Sequence, residues 1–277
     1  LAEKFPASIS SDNLFINAGW VADQSALQIV SRLKFGSVLM QSETILAART
    51  DNPDPISWNK LKVEPIKAID LLDRTWKIFQ WNGAQIKADF ELLTHNRTSS
   101  GISDPHTRVY GNEKIFIEDG VQIYASVINA TTGPVYISRQ SVIQEGCLIR
   151  GPFALGDSAQ LSMGTKIRGN TTIGPYCKVG GELNTVVFQG YSNKVHDGYL
   201  GSSVIGSWCN IGAGTSASNL KNSFDQVRCW NYNSQKFEPT GLQFLGLMMG
   251  DFSTCAIYTS FNNKMTRIMF CCGCPIN

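Results

Sequence analysis

The densest polar stretch of the chain reads Tyr191-Ser-Asn-Lys-Val-His-Asp-Gly-Tyr-Leu-Gly201. It continues through Val204-Ile-Gly-Ser-Trp-Cys-Asn-Ile-Gly-Ala-Gly-Thr215 to Asn219. His196 is one of three histidines. An imidazole with an ordinary pKa of about 6.5 suits a general base at neutral pH. Lys194 and Asp197 flank it and are placed to tune it. The turn Gly212-Ala213-Gly214 can turn backbone amides toward a ligand, and Asn210 offers both a donor and an acceptor. These types fit proton removal from an attacking group beside a bound polar substrate. Plainer readings stand beside this one. His196 is otherwise a loop-corner residue, and the glycines are otherwise tight corners that need φ > 0.

The elements that must position these groups follow an unusual period. Ile137, Ile143, Ile149, Leu155, Leu161, Ile167, Ile173 and Val179 recur every six residues. Four residues after most of them comes a small side chain: Ser141, Cys147, Ala159, Thr165, Thr171 or Cys177. Ile117 and Ile123 precede the series in the same step, offset by an insertion near 130–133. After an irregular stretch, Ile205 and Ile211 resume it. Helices repeat at 3.6 and strands at 2, so six predicts a short flat strand plus a turn, repeated as one side of a coil. One aliphatic residue per side points to the axis, and its neighbour near the corner must be small. Eighteen residues then make one triangular turn. The expected class is mainly β: a parallel β-helix of hexapeptide repeats over 113–262, preceded by a partial α/β domain.

That α/β part is expected over 1–95. Leu14-Phe15-Ile16 predicts a strand, and Asp23 caps a helix from about Gln24 to Leu33. Val38-Leu39-Met40 and Thr44-Ile45-Leu46 predict two strands around a turn. Ile69, Leu72, Trp76 and Phe79 recur at helical spacing, and Asn82 starts a second helix with Ile86 and Phe90. Together these predict a helix hairpin with Trp76, Phe79 and Trp81 in its core. Residues 96–112 are rich in Gly, Pro and Ser and predict a linker.

Composition narrows the partners. Of 277 residues, 43% are apolar and 17% charged, and 24 Lys and Arg oppose 22 Asp and Glu. No basic stripe interleaved with aromatics points to nucleic acid, and no run of 18 apolar residues predicts a membrane span. Five of the eight cysteines are widely spaced singles among apolar residues, read as buried thiols in a reducing cytoplasm. Cys271, Cys272 and Cys274 lack a matching cluster, so no metal site is expected.

His196-Asp-Gly-Tyr199-Leu-Gly201, followed by Ile205-Gly-Ser-Trp-Cys-Asn210-Ile-Gly-Ala-Gly-Thr215, resembles the acetyltransferase half of the bifunctional enzymes that make UDP-N-acetylglucosamine. The hexapeptide pattern itself resembles the left-handed β-helix of acyltransferases. The wider chain, roughly residues 2–262, resembles sugar nucleotidyltransferase-like proteins common in the Bacteroidetes. Asn129-Ala-Thr-Thr-Gly-Pro-Val-Tyr-Ile137, Gly174-Pro-Tyr-Cys-Lys-Val-Gly-Gly-Glu182 and Gly241-Leu-Gln-Phe-Leu-Gly-Leu-Met-Met-Gly-Asp251 carry that likeness. The resemblance implies that His196 is the base in acetyl transfer from acetyl-CoA to an amino-sugar phosphate. It implies that Tyr199, Asn210, Asn219 and Lys194 bind substrate, and that Gly212, Ala213 and Gly214 face the acyl donor. It further implies a homotrimer, with Mg2+ needed only where a full nucleotidyltransferase domain is present.

Three departures qualify the expectation. The phosphate-binding segment that opens such nucleotidyltransferase domains is not found ahead of Leu1. The Arg and Lys that grip the sugar phosphate have no clear counterpart, with Asn184-Thr185 at the Lys position and Arg150, Arg168, Lys178 or Lys194 as substitutes. Residues 263–277 depart from the family pattern in a way that a reading-frame change would explain. The alternative function is a sugar-1-phosphate nucleotidyltransferase fragment whose β-helix serves assembly or ligand sensing.

Overall fold

The computed structural model describes residues 9–261, apart from 22, 67, 68, 232 and 233. The expectations for 263–277, with Cys271, Cys272 and Cys274, lie outside the described residues. Two compact units divide between Arg74 and Thr75.

The first unit is a four-stranded sheet with one α-helix. Strand β1 (Asn13–Ile16) is followed by α1 (Gln24–Ser31), β2 (Ser37–Gln41), β3 (Thr44–Thr50) and β4 (Lys62–Pro65), in the sheet order β1-β3-β2-β4. The β1/β3 and β2/β3 pairs are antiparallel, and β2/β4 is parallel. The Asp23 carboxylate caps α1 by accepting from the Ala26 N–H at 2.7 Å. Side chains alternate across the sheet except at Leu46, the extra residue where Leu39 pairs with Ala47 and Met40 with Ile45. Leu39, Leu46 and Ala47 join Val30 and Leu33 on one side, while Val38 and Ala48 meet Trp58 on the other.

The second unit is a parallel β-solenoid of about six turns. Its first face stacks Gln122–Ile123, Val142–Ile143, Gln160–Leu161, Lys178–Val179, Asn193–Lys194, Asn210–Ile211 and Thr254–Cys255. The second face stacks Arg108–Tyr110, Val127–Asn129, Leu148–Arg150 and Lys166–Ile167, then the first halves of the long strands Glu182–Gly190 and Tyr199–Ser207. The third stacks Ile115–Ile117, Val135–Ile137, Phe153–Leu155 and Thr171–Ile173, then the second halves of the same long strands. The six-residue series lines the axis, and the small residues beside it are fully buried. At one corner Gln140, Ser158, Tyr176, Tyr191, Trp208 and Phe252 all take positive φ, between 53° and 61°. This is where the chain must turn sharply while each amide still reaches the coil below, as Tyr191 N–H does to Pro175 O at 2.8 Å.

Several expectations are corrected here. Residues 69–73 are not helical, and a single helix, α2 (Lys77–Thr94), runs straight through Asn82. No hairpin forms because α2 finds its apolar partner on the solenoid. Phe79 packs with Val187, Val204 and Met248 of the third face, and with Val227, Cys229 and Leu245 of the excursion over 218–247. Residues 96–112 are tied to the first coil rather than free. Ser100 N–H donates to Ile117 O at 2.8 Å, Arg97 pairs with Glu118 at 2.7 Å, and Arg108–Tyr110 is the first strand of the second face. Phe153, an apolar residue one position from the bend Gly151-Pro152, is fully buried.

Helix α2 sits close to a solenoid corner. Asn82 Nδ2 donates to Asn170 O at 2.8 Å and its Oδ1 accepts from Thr172 Oγ1 at 2.8 Å. A Cβ on Gly83 would lie 2.1 Å from Asn170 Oδ1. Gly83→Ala is therefore expected to destabilise the unit by about 1–3 kcal/mol through overpacking. Adding Asn170→Gly, at a position with φ 47°, should recover most of that loss. Urea midpoints of the single and double variants check this, and an unchanged midpoint for Gly83→Ala would refute it.

Candidate functional site

His196 lies in the four-residue corner 195–198, between Asn193–Lys194 on the first face and Tyr199 on the second. Its side chain is exposed. The corresponding corner of the coil below is only Gly180-Gly181, whereas the coils on either side of that pair of corners use four residues. The two corners touch without side chains between them. A Cβ on Gly180 would fall 1.9 Å from Val195 O, and one on Gly181 would fall 2.4 Å from Gly198 O.

Tyr199 opens the second-face strand. Its register partner in the coil below is Glu182, followed by Lys166 and then Leu148. The intervening row Leu200, Leu183, Ile167, Ile149 points to the axis and is buried. In the next outward row Asn129 pairs with Arg150, and Asn184 pairs with Gly201, with Arg168 between these pairs. A groove of about 430 Å³ opens over this face, lined by Asn129, Leu148, Arg150, Lys166, Arg168 and Glu182 among others. Three cations there face one carboxylate. Arg168 Nη1 holds Glu182 Oε1 at 3.1 Å, but 64% of the Arg168 side chain stays exposed, so the guanidinium remains available to an anion. Coils rise about 4.8 Å each, which puts Tyr199 roughly 10 Å from Lys166, two coils away along the same row.

Above the groove, Tyr199 and Asn219 meet over Gly201. A Cβ on Gly201 would lie 2.5 Å from the Tyr199 hydroxyl and 2.8 Å from the Asn219 amide. Asn219 Nδ2 donates to Ser202 Oγ at 3.0 Å. Thus His196, Tyr199 and Asn219 belong to one coil and its neighbour, at the upper end of a basic face.

Other expected site residues are placed differently. Asn210 lies on the first face, where its Oδ1 accepts from Asn193 Nδ2 at 2.9 Å, and it is not brought to the Tyr199–Asn219 pair. The Gly212 and Gly214 amides are taken up by the main chain of neighbouring coils. They donate to Cys255 O at 3.2 Å and Asp197 O at 3.0 Å, while Ala213 O accepts from Tyr258 N–H at 2.7 Å. Lys194 is not at the surface either. It is 1% exposed and occupies an axial position between Val179 and Ile211. Its Nζ donates to His196 O at 2.9 Å and to Gly180 O at 3.2 Å. Burial lowers its pKa to about 8, against the opposing pull of Asp197 and Cys255.

Residues 1–98 match a family model described as sugar nucleotidyl transferase. The bifunctional protein GlmU of Buchnera aphidicola is 31% identical over 220 residues, covering 70% of this chain and 43% of the relative. GlmU of Acaryochloris marina is 30% identical over 120 residues, 43% of this chain and 25% of its own length. GlmU of Wolbachia pipientis wMel is 32% identical over 141 residues, 47% of this chain and 31% of its own length. These likenesses, together with the parallel β-solenoid, fit a GlmU-like protein with a β-helix. The chain spans less than half the length of each of these relatives. At family level, the GlmU relatives and the family match point to a sugar-nucleotide transferase.

In this GlmU-like chain the groove residues Lys166 and Glu182 are the ones that sequence reasoning misses. For Lys166 the signal was available, since it precedes the periodic inward residue Ile167 by one position; for Glu182 it was not, since Leu183 falls off the six-residue period. Among the described residues no cluster of three or more His, Cys, Asp or Glu is arranged to hold a metal. No described helix is long and apolar enough to cross a membrane. The five described cysteines are unpaired, and burial pushes the Cys177 and Cys229 thiols up to about 11, so they stay protonated.

The lowered Lys194 pKa makes stability pH-dependent in a defined direction. Below about pH 8 the folded and unfolded chains both carry the proton, and the burial penalty is fully present. Between about 8 and the ordinary 10.5 the unfolded chain binds more proton, so stability rises with pH. Relative to Lys194→Met, the wild type should gain on the order of 2–3 kcal/mol from pH 7 to pH 10. Urea unfolding of both proteins across that range measures it, and parallel pH profiles would count against a charged, buried Lys194.

Proposed function

We propose that the solenoid transfers an acetyl group from acetyl-CoA to the amine of an amino-sugar phosphate, with His196 as general base. The observation that carries this reading is the basic groove on the second face, whose residue Glu182 is the register partner of Tyr199 and donates its N–H to Gly198 O of the His196 corner at 3.1 Å. Arg150, Lys166 and Arg168 supply cations for a phosphate, a role that the sequence leaves without a clear occupant. Glu182 is the carboxylate among them and accepts a hydrogen bond from the sugar amine. Tyr199 and Asn219, joined over Gly201, hold the sugar hydroxyls.

In this reading the amine nitrogen attacks the thioester carbonyl carbon while the His196 imidazole takes the amine proton. The tetrahedral oxyanion then collapses, the carbon–sulfur bond breaks, and the imidazolium returns the proton to the departing thiolate. With the Gly212 and Gly214 amides committed to the coil ladder, the acyl donor's contacts fall to side chains near the corner. Asn210 and Lys194 then serve the site indirectly, from outside the contact shell. The GlmU likeness supports a sugar-nucleotide pathway for the acceptor. The same reading carries a homotrimer, for which the exposed stack Tyr176–Tyr191–Trp208 offers apolar surface. It also carries a reducing cytoplasm, which suits five free thiols.

Calorimetry with acetyl-CoA, with and without glucosamine 1-phosphate, tests the reading on the wild-type chain. Binding strengthened by the sugar phosphate is expected. His196→Ala should lower kcat by about 10²–10⁴-fold. Arg168→Gln should raise the KM for the sugar phosphate roughly tenfold or more, with a smaller change in kcat. No binding of either ligand, and no turnover, would remove acetyl transfer and leave the nucleotidyltransferase-like region as the seat of function.

A further inference from the structure

Lys194 is an ammonium on the axis of a column otherwise built from aliphatic side chains and, above Ile211, Cys255. Ile123, Ile143, Leu161, Val179 and Ile211 fill the equivalent places on the first face, and all are buried. The reaction proposed above gives this amine no contact with substrate. Its two acceptors are both main-chain carbonyls, and they belong to two different corners. One is His196 O at 2.9 Å, and the other is Gly180 O, one coil below, at 3.2 Å. The lower corner is cut to Gly180-Gly181, and Gly181, at φ 82°, carries no side chain, so the amine has room. A Cβ there would stand 3.0 Å from Nζ. The His196 side chain, by contrast, is exposed and has no hydrogen-bonding side-chain partner among the described residues. The backbone of its corner therefore sets where its Cα–Cβ bond points, the axis from which the ring leaves the corner.

We propose that Lys194 is a positioning residue: from inside the solenoid it clamps the main-chain carbonyl of His196 to that of Gly180, and so fixes how the imidazole leaves the corner toward the basic face. The inference rests on the reading of His196 as the base, and it adds the device that aims that base. The neighbouring double glycine is part of the device, because any larger side chain there would push the clamp apart. An aliphatic residue at 194 would keep the coil but release the corner.

The test uses the full chain and two variants. Lys194→Met fills the axial place without a donor, and Gly181→Ala disturbs the clamp from below while keeping the charge. Imidazole resonances are few, since the chain has three histidines, and the His196 signal is identified by its loss in His196→Gln. In both variants the His196 resonance is expected to shift or broaden, while those of His95 and His106 stay in place. Turnover in acetyl transfer should fall roughly 10–10²-fold with KM for the acceptor changed little, as for a misaimed base. A His196 resonance unchanged in a folded Lys194→Met overturns the clamp. If that variant does not fold, an unchanged resonance in Gly181→Ala overturns it instead. A shifted resonance in a protein that shows no acetyl transfer even as wild type keeps the clamp and discards the reading of His196 as the base.

Discussion

Each coil of the solenoid must lay its inward side chain on the inward side chain of the coil below, and everything else follows from that register. The parallel ladder fixes the spacing between coils at about 4.8 Å. The six-residue step fixes which residues meet. Because Ile167 lies under Leu183 and Leu183 under Leu200, their neighbours Lys166, Glu182 and Tyr199 are forced into one outward row. The basic groove is thus a consequence of core stacking rather than of any loop. A one-residue slip would turn the cations inward, and the cost of burying them unpaired would far exceed any local gain.

The same constraint explains which parts of the molecule are legible in sequence. The period of six gives the axial series and the small corner residues directly, because both are single-residue requirements repeated along the chain. It fails where the coil shortens. From Val179 the inward positions run through Leu183 and Phe188, at steps of four and five, before Phe188, Lys194 and Leu200 restore the step of six. A search for aliphatic residues passes over this run because its middle member is a lysine. The helix hairpin fails for a different reason. The pattern around Phe79 reports an apolar face without naming its partner, and that partner is Val187 and Val204, a hundred residues later in the chain. Such a long-range pairing leaves no local trace.

The candidate site shows the same division. His196, Tyr199 and Asn219 are recognisable from their types and spacing, and the fold places them on one coil and its neighbour. Gly212 and Gly214 are recognisable too, but sequence cannot tell a glycine that faces a ligand from one that lies flat against the next coil. The contacts decide it: Gly212 packs on the Ala256–Ile257 peptide and Gly214 lies under the Tyr258 ring. Glycine at these places answers to the close approach of coils, which any side chain would block.

The buried lysine is the point where stability and geometry are in tension. Holding its charge off water costs on the order of 3 kcal/mol at neutral pH, from the lowering of its pKa to about 8. An aliphatic replacement removes that cost but takes the donor from two main-chain carbonyls, each worth about 1–3 kcal/mol if left unpaired in a buried setting. The two amounts are comparable, so the fold gains little stability either way from the choice at 194. What differs is the freedom of the corner above. With methylene alone on the axis, Val195–Gly198 keeps the bonds from Gly214 N–H to Asp197 O and from Glu182 N–H to Gly198 O, but the His196 carbonyl loses its donor. With the ammonium, the His196 carbonyl is fixed from within, and the imidazole on the outside inherits that orientation. A residue that is nearly neutral for folding yet determines the posture of a candidate base is better understood through the site it aims than through the core it occupies.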